Sequence, residues 1–202
     1  RALRVRDQRA VILKVLDSLS VGREDLARLR HEFQMLSQQP QSGWVQALEW
    51  QQDDNLFMLV LEDDQAEDLA SALNRDKFPL PHALQLMLSM TRCVGQAHQR
   101  GIIHRDINPA NLILLPDQAT IKLIDFGIAL QHLNGLRDDG QAPALAGSLR
   151  YIAPEQTGKM NRHVDYRADY YSLGVTFYEM LLGRPPFDSL DPHELIHAHI
   201  AK

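Results

Sequence analysis

The chain has 202 residues, of which 45% are hydrophobic, and this is enough to bury a core in one domain or in two small lobes around a cleft. A formal net charge of -5 gives no basic face for a nucleic-acid backbone, so the charge disfavours a nucleic-acid partner. The single cysteine, Cys93, excludes an internal disulfide framework and a multi-cysteine zinc site, which suits a reducing cytosol.

The first part of the chain predicts two antiparallel strands followed by a helix. "RALRVRD" alternates polar and apolar residues, "QRAVILKVLD" is rich in β-branched residues, and the Asp7-Gln8 junction between them suits a hairpin turn. From Arg23 to Ser37, apolar residues recur at spacings of three and four, which predicts an amphipathic helix on an otherwise charged segment.

A second strand pair completes the predicted sheet. "WVQALEW" (44–50) and "NLFMLVLE" (55–62) are apolar runs, joined by the polar residues 51–55. An acidic linker, "EDDQAED", then marks a change in composition. We therefore expect the sheet to end near Glu62.

The remainder predicts mainly helices. "DLASALNRD" (68–76) predicts a short helix, and residues His82 to Gln99 predict a long one that Gly101 closes. "DYYSLGVTFYEMLLG" (169–183) is apolar on nearly every face, which predicts a helix that is buried all round.

Two short apolar runs carry polar residues at their ends. "NLILL" and "TIKLID" flank a Pro-Asp turn and predict small strands, with Asn111 at the start of the first and Asp125 at the end of the second. Residues 128–150 lack periodicity, which predicts a loop, and a loop of this length inside a compact domain is usually functional.

Six motifs occur in one order along the chain. They are "VILK" ending at Lys14, the helix carrying Glu32, "HRDINPAN" (104–111), "DFG" (125–127), "GSLRYIAPE" (147–155) and "DYYSLGVTFYEMLLGRPPF" (169–187). In this order they resemble the protein kinase family over almost the whole chain. The resemblance implies an α+β fold of two lobes: residues 1–62 form an N-lobe of antiparallel sheet plus one helix, and residues 63–202 form a mainly helical C-lobe.

The same resemblance has implications for the surroundings of the domain. The sequence matches the family from its second strand onward, so we expect the glycine-rich loop before Arg1 and the last helices after Lys202. Residues 153–187 resemble the kinase module of large bacterial and fungal signalling proteins, in which an ATPase module, sensing domains and a histidine kinase follow. No apolar run approaches the roughly 20 residues that span a bilayer, so we expect a cytoplasmic signalling protein without a membrane span.

The resemblance also implies a catalytic set, with ATP and Mg2+ as cofactors. Asp106 orients the hydroxyl of a protein substrate and accepts its proton, and Asn111 and Asp125 supply oxygen ligands for Mg2+. Lys14, anchored by Glu32, holds the α- and β-phosphates. From the residues alone, Asp106 can also be a turn-capping residue, and Lys14 can lie on the exposed face of an amphipathic strand.

The adenine end of the cleft is predicted from the same match. Glu62, Asp63 and Asp64 correspond to the hinge, whose backbone groups hold the adenine edge, and Leu61 guards the back of the pocket. Ile12 replaces the usual small alanine and narrows this pocket.

One departure concerns the transferred phosphate. Asn108 stands where Ser/Thr kinases usually have lysine, so a cation near the transition state is missing. The leading prediction is transfer of the γ-phosphate of ATP to Ser or Thr hydroxyls. A regulatory pseudokinase and a small-molecule phosphotransferase stay open as alternatives.

Regulation is only partly predicted. Arg105 would ordinarily meet a phosphorylated residue, but Ser148 and Tyr151 are the hydroxyl residues between Gly127 and Glu155, and both lie in the substrate-facing stretch. We hypothesise that Asp138 or Asp139 pairs with Arg105 instead.

Three further residues are predicted to support the site. In the family, His104 and Phe126 pack between the lobes, with Leu36 beside them. Asp169 braces the catalytic loop through backbone amides.

Overall fold

A computed structural model of the protein describes residues 1–38, 43–131 and 148–201. Its first part is an antiparallel sheet of four strands in the order β1-β2-β4-β3, namely β1 (Ala2–Arg4), β2 (Arg9–Asp17), β3 (Ala47–Asp53) and β4 (Leu56–Glu62). The helix α1 (Arg23–Gln38) follows β2. The predicted first hairpin, the helix and the end of the sheet at Glu62 are confirmed.

The predicted bounds of the second strand pair need correction. Strand β3 begins at Ala47, three residues later than predicted, and continues to Asp53. The connection shrinks to Asp54 and Asn55, with Asp54 in the left-handed region at φ 47°. The prediction ended the strand too early because Gln51, Gln52 and Asp53 are polar, yet their backbone continues the ladder on an exposed end of the sheet.

The second part of the chain contains four helices and five short strands in the described residues. The helices are α2 (Leu69–Arg75), α3 (Leu80–His98), α4 (Arg167–Leu182) and α5 (Pro192–Ala201). The strands are β5 (Glu67–Asp68), β6 (Ile102–Ile103), β7 (Leu112–Leu114), β8 (Ile121–Leu123) and β9 (Leu130–Gln131). Within these ranges, no helix combines the length and the apolar character needed to cross a bilayer.

Two predicted boundaries differ from the structure here. Helix α3 starts at Leu80 rather than His82, because Pro81 fits the first turn, where its missing N–H would have no partner. Within the predicted loop 128–150, strand β9 pairs with β6, and residues 132–147 lie outside the described ranges.

The prediction that α4 is buried all round is wrong. Leu181 and Leu182 are 49% and 54% exposed, whereas the buried face carries polar residues, including Asp169 and Ser172. These residues can be buried because they are hydrogen-bonded: Ser172 Oγ donates to the Tyr151 carbonyl at 2.7 Å. In the sequence of α4, apolar residues occur on every face, so the pattern did not indicate which face packs against the rest of the protein.

Trp44 belongs to the helical part of the core rather than to β3. Trp44 is 1% exposed and forms an isolated bridge with Leu123, and its ring centroid lies 5.1 Å from that of Phe126. Gly43 permits this approach, since a Cβ there would lie 2.7 Å from Gln96 Oε1 and 3.2 Å from Cys93 Sγ. The segment after α1 therefore attaches the first part of the chain to the second.

Replacing Trp44 by Ala should lower the free energy of unfolding by about 3–5 kcal/mol, because it empties a filled site in the continuous core. Urea denaturation of the full-length protein measures the change. Trp50→Ala, at a partly buried position, is the matched control and should lower the free energy of unfolding by less. Equal losses in the two variants would contradict a central role for Trp44.

Candidate active site

A lysine and a glutamate from the first part of the chain form the rear of the site. Lys14 Nζ on β2 donates to both carboxylate oxygens of Glu32 on α1, at 2.7 and 2.9 Å. Asp125 Oδ1 lies 3.5 Å from the same nitrogen. The structure thus pairs Lys14 with Glu32, and not with Glu24 or Asp25, the other acidic residues of the helix.

Burial raises the pKa of Glu32 above its usual range, and the charge of Asp125 acts in the same direction. The charge of Lys14 opposes this effect and favours the carboxylate. Glu32 is 2% exposed, so its ionised form depends on the ammonium beside it.

Replacing Lys14 by Met should lower the free energy of unfolding by about 1–3 kcal/mol at pH 8, less than for a fully buried pair because Lys14 is partly exposed. The loss should shrink at pH 5. An acidic group whose pKa is higher in the folded state destabilises the fold once the pH exceeds its unfolded pKa. Without Lys14 the pKa of Glu32 is raised further, so this destabilisation is larger at pH 8 than at pH 5. Urea unfolding at both pH values measures the loss of stability. Lys77→Met, which replaces an exposed lysine, is the control. A loss that does not depend on pH would contradict the explanation.

Asp106 is held by three donors. Its Oδ1 accepts from Asn108 Nδ2 at 3.0 Å and from the Ser148 backbone N–H at 2.8 Å, and its Oδ2 accepts from Asn111 Nδ2 at 2.9 Å. The Ser148 contact comes from the predicted substrate-facing stretch. The carboxylate is therefore fixed in orientation beside the place where a substrate hydroxyl is expected.

Asn108 is turned into the loop. It is 4% exposed, its Oδ1 accepts from the Ala110 and Asn111 backbone N–H groups, and its Nδ2 also donates to the Asp106 carbonyl at 3.1 Å. This asparagine caps the turn Pro109–Asn111 and orients Asp106. Its side chain is fully engaged by the loop, so the geometry gives it a positioning role.

The backbone next to Asp125 is hydrogen-bonded to Asn111. The Ile124 N–H donates to the Asn111 carbonyl at 3.0 Å, which holds the end of β8 against the catalytic loop. Asp125 is in the left-handed region at φ 66°, and its side chain is 47% exposed. Since the amide nitrogen of Asn111 binds Asp106, its amide oxygen is left for a cation. A carboxylate and an amide oxygen are ligands that Mg2+ accepts, so the donor set fits this ion.

Four of the predicted site residues share one cavity of 580 Å³. Lys14, Glu32, Asp106 and Asp125 line it, together with Arg28 of α1, which the sequence reasoning missed. Helical periodicity could have indicated Arg28, because it lies four residues before Glu32 and so on the same face. The other predicted site residues are not among the described residues lining it, namely Ile12, Leu61, the hinge residues 62–64, Asn108 and Asn111.

The predicted adenine residues lie at the end of β4 and beyond. Each acidic hinge side chain pairs with a basic one: Glu62 with Arg9, Asp63 with Arg1 at 3.2 Å, and Asp64 with Lys122 at 2.8 Å. Ile12 faces Leu61 across the β2–β4 ladder. The hinge is thus tied to β2 on one side and to β8 on the other.

Asp169 braces the catalytic loop as predicted. Although fully buried, it accepts from the backbone N–H groups of His104 and Arg105 at 2.9 and 2.8 Å. His98 Nε2 donates to the same carboxylate at 2.8 Å, a partner that the sequence reasoning missed. Arg105, held in this way, has φ 69°, a strained conformation for a residue other than glycine.

The predicted packing of His104 and Phe126 is present. Their ring centroids lie 4.8 Å apart in an edge-to-face arrangement, and the Trp44 ring also packs against Phe126. Leu36 is buried in the same core cluster. The hypothesis that Asp138 or Asp139 pairs with Arg105 concerns residues outside the described ranges, and it stays a hypothesis.

The chain is similar to known proteins. The protein kinase domain family matches residues 1–202. A probable serine/threonine-protein kinase of Clostridium perfringens is 30% identical over 202 residues, which cover 95% of this chain and 28% of the relative. The serine/threonine-protein kinase PknB of Mycobacterium tuberculosis is 36% identical over 118 residues, which cover 58% of this chain and 18% of the relative. The chain thus spans less than a third of the length of either relative. It belongs to the protein kinase domain family, which agrees with the predicted fold class.

Proposed function

We propose that this domain is an ATP-dependent serine/threonine protein kinase. One observation carries the proposal: Lys14, Glu32, Asp106 and Asp125, which come from four separate parts of the chain, converge on a single cavity. Phosphoryl transfer requires this combination, because the protein must position the nucleophile and neutralise charge on the phosphate oxygens.

Each residue has a distinct task in this proposal. Lys14, held in place by Glu32, binds the α- and β-phosphates of ATP, and Asp125 with Asn111 holds Mg2+. When bound, this ion neutralises charge on the phosphate oxygens. Asp106, already fixed by its three donors, orients the substrate hydroxyl and accepts its proton. The hinge, residues 62–64, and Leu61 with Ile12 form the adenine end.

The acceptor we propose is a serine or threonine of a protein. The relatives in Clostridium perfringens and Mycobacterium tuberculosis are named as serine/threonine-protein kinases. The stretch "GSLRYIAPE" adds support, since it resembles a protein-substrate binding segment and Ser148 contacts Asp106. A small-molecule phosphotransferase would not need this stretch.

We also propose a place for the domain in a larger cytoplasmic signalling protein. Residues 153–187 resemble the kinase module that precedes ATPase, sensing and histidine kinase modules. In this arrangement residues 1–62 are the N-lobe and residues 63–202 the C-lobe.

Asn108 favours a second candidate function. Position 108 carries asparagine in place of lysine, and its side chain is turned into the loop, so it presents no positive charge to the transferred phosphate. A pseudokinase that binds nucleotide and acts as a regulatory scaffold would tolerate this change. The presence of Lys14, Asp106 and Asp125 in one cavity favours the enzyme.

Transfer from labelled ATP by the full-length protein separates the two candidates. The assay offers a general protein acceptor with Mg2+ and identifies the labelled residues by acid hydrolysis. We expect phosphoserine or phosphothreonine. Binding of ATP with Mg2+ but no label above background would favour the scaffold, and label on tyrosine would overturn the acceptor class.

A further inference from the structure

The cavity has an excess of negative charge for a site that takes a triphosphate. Among the described residues that line it, four are acidic and two are basic: Asp25, Glu32, Asp106, Asp125, Lys14 and Arg28. The charge of Lys14 is already engaged by Glu32 and Asp125. Among the described residues that line the cavity, Arg28 thus carries the remaining positive charge.

Arg28 lies close to the metal-binding aspartate. A Cβ placed on Gly127 would be 3.6 Å from Arg28 Cβ and 3.4 Å from Asp125 Oδ1, so these two side chains flank the same small space. Arg28 is exposed, and it makes no ion pair with a residue in the described ranges. Its long, mobile side chain can therefore bring the guanidinium beside a phosphate held at Asp125.

We infer that Arg28 binds the terminal phosphate of ATP and supplies the positive charge that Asn108 cannot. This inference rests on the proposed kinase function and adds a catalytic residue to it. A guanidinium offers several N–H donors in a fixed plane and can bind two phosphate oxygens at once. It would act while the γ-phosphate carries the growing charge of the transition state, which is when electrostatic stabilisation matters most.

Nucleotide binding tests this contact separately from activity. Calorimetry of the full-length protein with Mg2+ compares ADP with a non-hydrolysable ATP analogue, for wild type, Arg28→Gln, Arg28→Lys and Arg23→Gln. Arg23 is the control, because it is exposed on the same helix but does not line the cavity. We expect Arg28→Gln to weaken binding of the analogue by roughly tenfold or more, the strength of a hydrogen bond to a charged group, with ADP binding unchanged. Arg28→Lys should retain most of the preference for the ATP analogue over ADP, and Arg23→Gln should retain all of this preference.

Two results would overturn the inference. Arg28→Gln could keep the wild-type preference for the analogue over ADP, or it could weaken both nucleotides alike, as a general change in the cleft would. Either result leaves the proposed function standing. Failure of the wild-type protein to bind either nucleotide would instead overturn the proposed function and this inference together.

Discussion

Replacing Asp106 by Asn should lower the rate of phosphoryl transfer by roughly 10²–10⁴-fold, the usual contribution of a positioned general base. An amide can still accept a hydrogen bond, but it takes no proton from the substrate hydroxyl at neutral pH. Affinity for ATP with Mg2+ should be nearly unchanged, because Asp106 is assigned to the acceptor side of the site. Transfer assays and calorimetry on the same preparation measure the two quantities.

The Asp106 variant needs a folding control, because three hydrogen bonds converge on this side chain. Thermal unfolding of the variant should be compared with that of Asp53→Asn, an exposed aspartate at the end of β3. Transfer by a folded Asp106→Asn protein at the wild-type rate would remove Asp106 as the base.

Replacing Asp125 by Asn or Ala should abolish the dependence of nucleotide binding on Mg2+ and lower transfer by at least roughly 10²-fold. The carboxylate lies 3.5 Å from Lys14 Nζ, and the residue before it is hydrogen-bonded to Asn111, so its loss removes the charged ligand of the proposed metal site. Calorimetry of ATP binding with Mg2+ and with a chelator measures the dependence. The wild type should bind much more tightly with Mg2+, and the variants should bind equally in both buffers.

Two substitutions are needed at Asp125 because its backbone is in the left-handed region. Asparagine tolerates this conformation well, whereas alanine adds strain of about 1–2 kcal/mol. If only Asp125→Ala lost Mg2+ dependence, the negative charge of Asp125 would not be needed to hold the ion, and if both variants kept the dependence the metal assignment would fail. The same loss in both variants assigns the effect to the carboxylate.

The two aspartates should therefore differ in the property they change. Loss of Asp106 affects the chemical step alone, whereas loss of Asp125 affects binding as well. This difference follows from their surroundings. Asp106 is enclosed by donors of its own loop and of the substrate-facing stretch, while Asp125 is half exposed and faces the ammonium of Lys14.

Local pattern was sufficient to predict much of this protein. Alternation predicted β1, β-branched and apolar runs predicted β2 and β4, helical spacing predicted α1, and glycine marked the end of α3. Through the family resemblance, the order of the motifs also predicted a common site for Lys14, Glu32, Asp106 and Asp125, which line one cavity. These features depend on short stretches whose conformational preferences act within a few residues, so they can be read without knowing the fold.

Contacts between distant residues could not be derived in this way. Trp44 sat in an apolar run typical of a strand, yet its backbone pairs with Leu123 and its ring packs on Phe126. Asn108 looked like a missing cation, but its side chain caps a turn and orients Asp106.

The family resemblance paired Glu32 with Lys14, but the approach of Arg28 to Gly127 depends on how α1 lies against the segment after β8. Local sequence thus determined the elements and the identity of the reactive groups. The tertiary structure decided which groups face the cavity and which are engaged elsewhere, because burial and charge pairing depend on neighbours far apart in the chain.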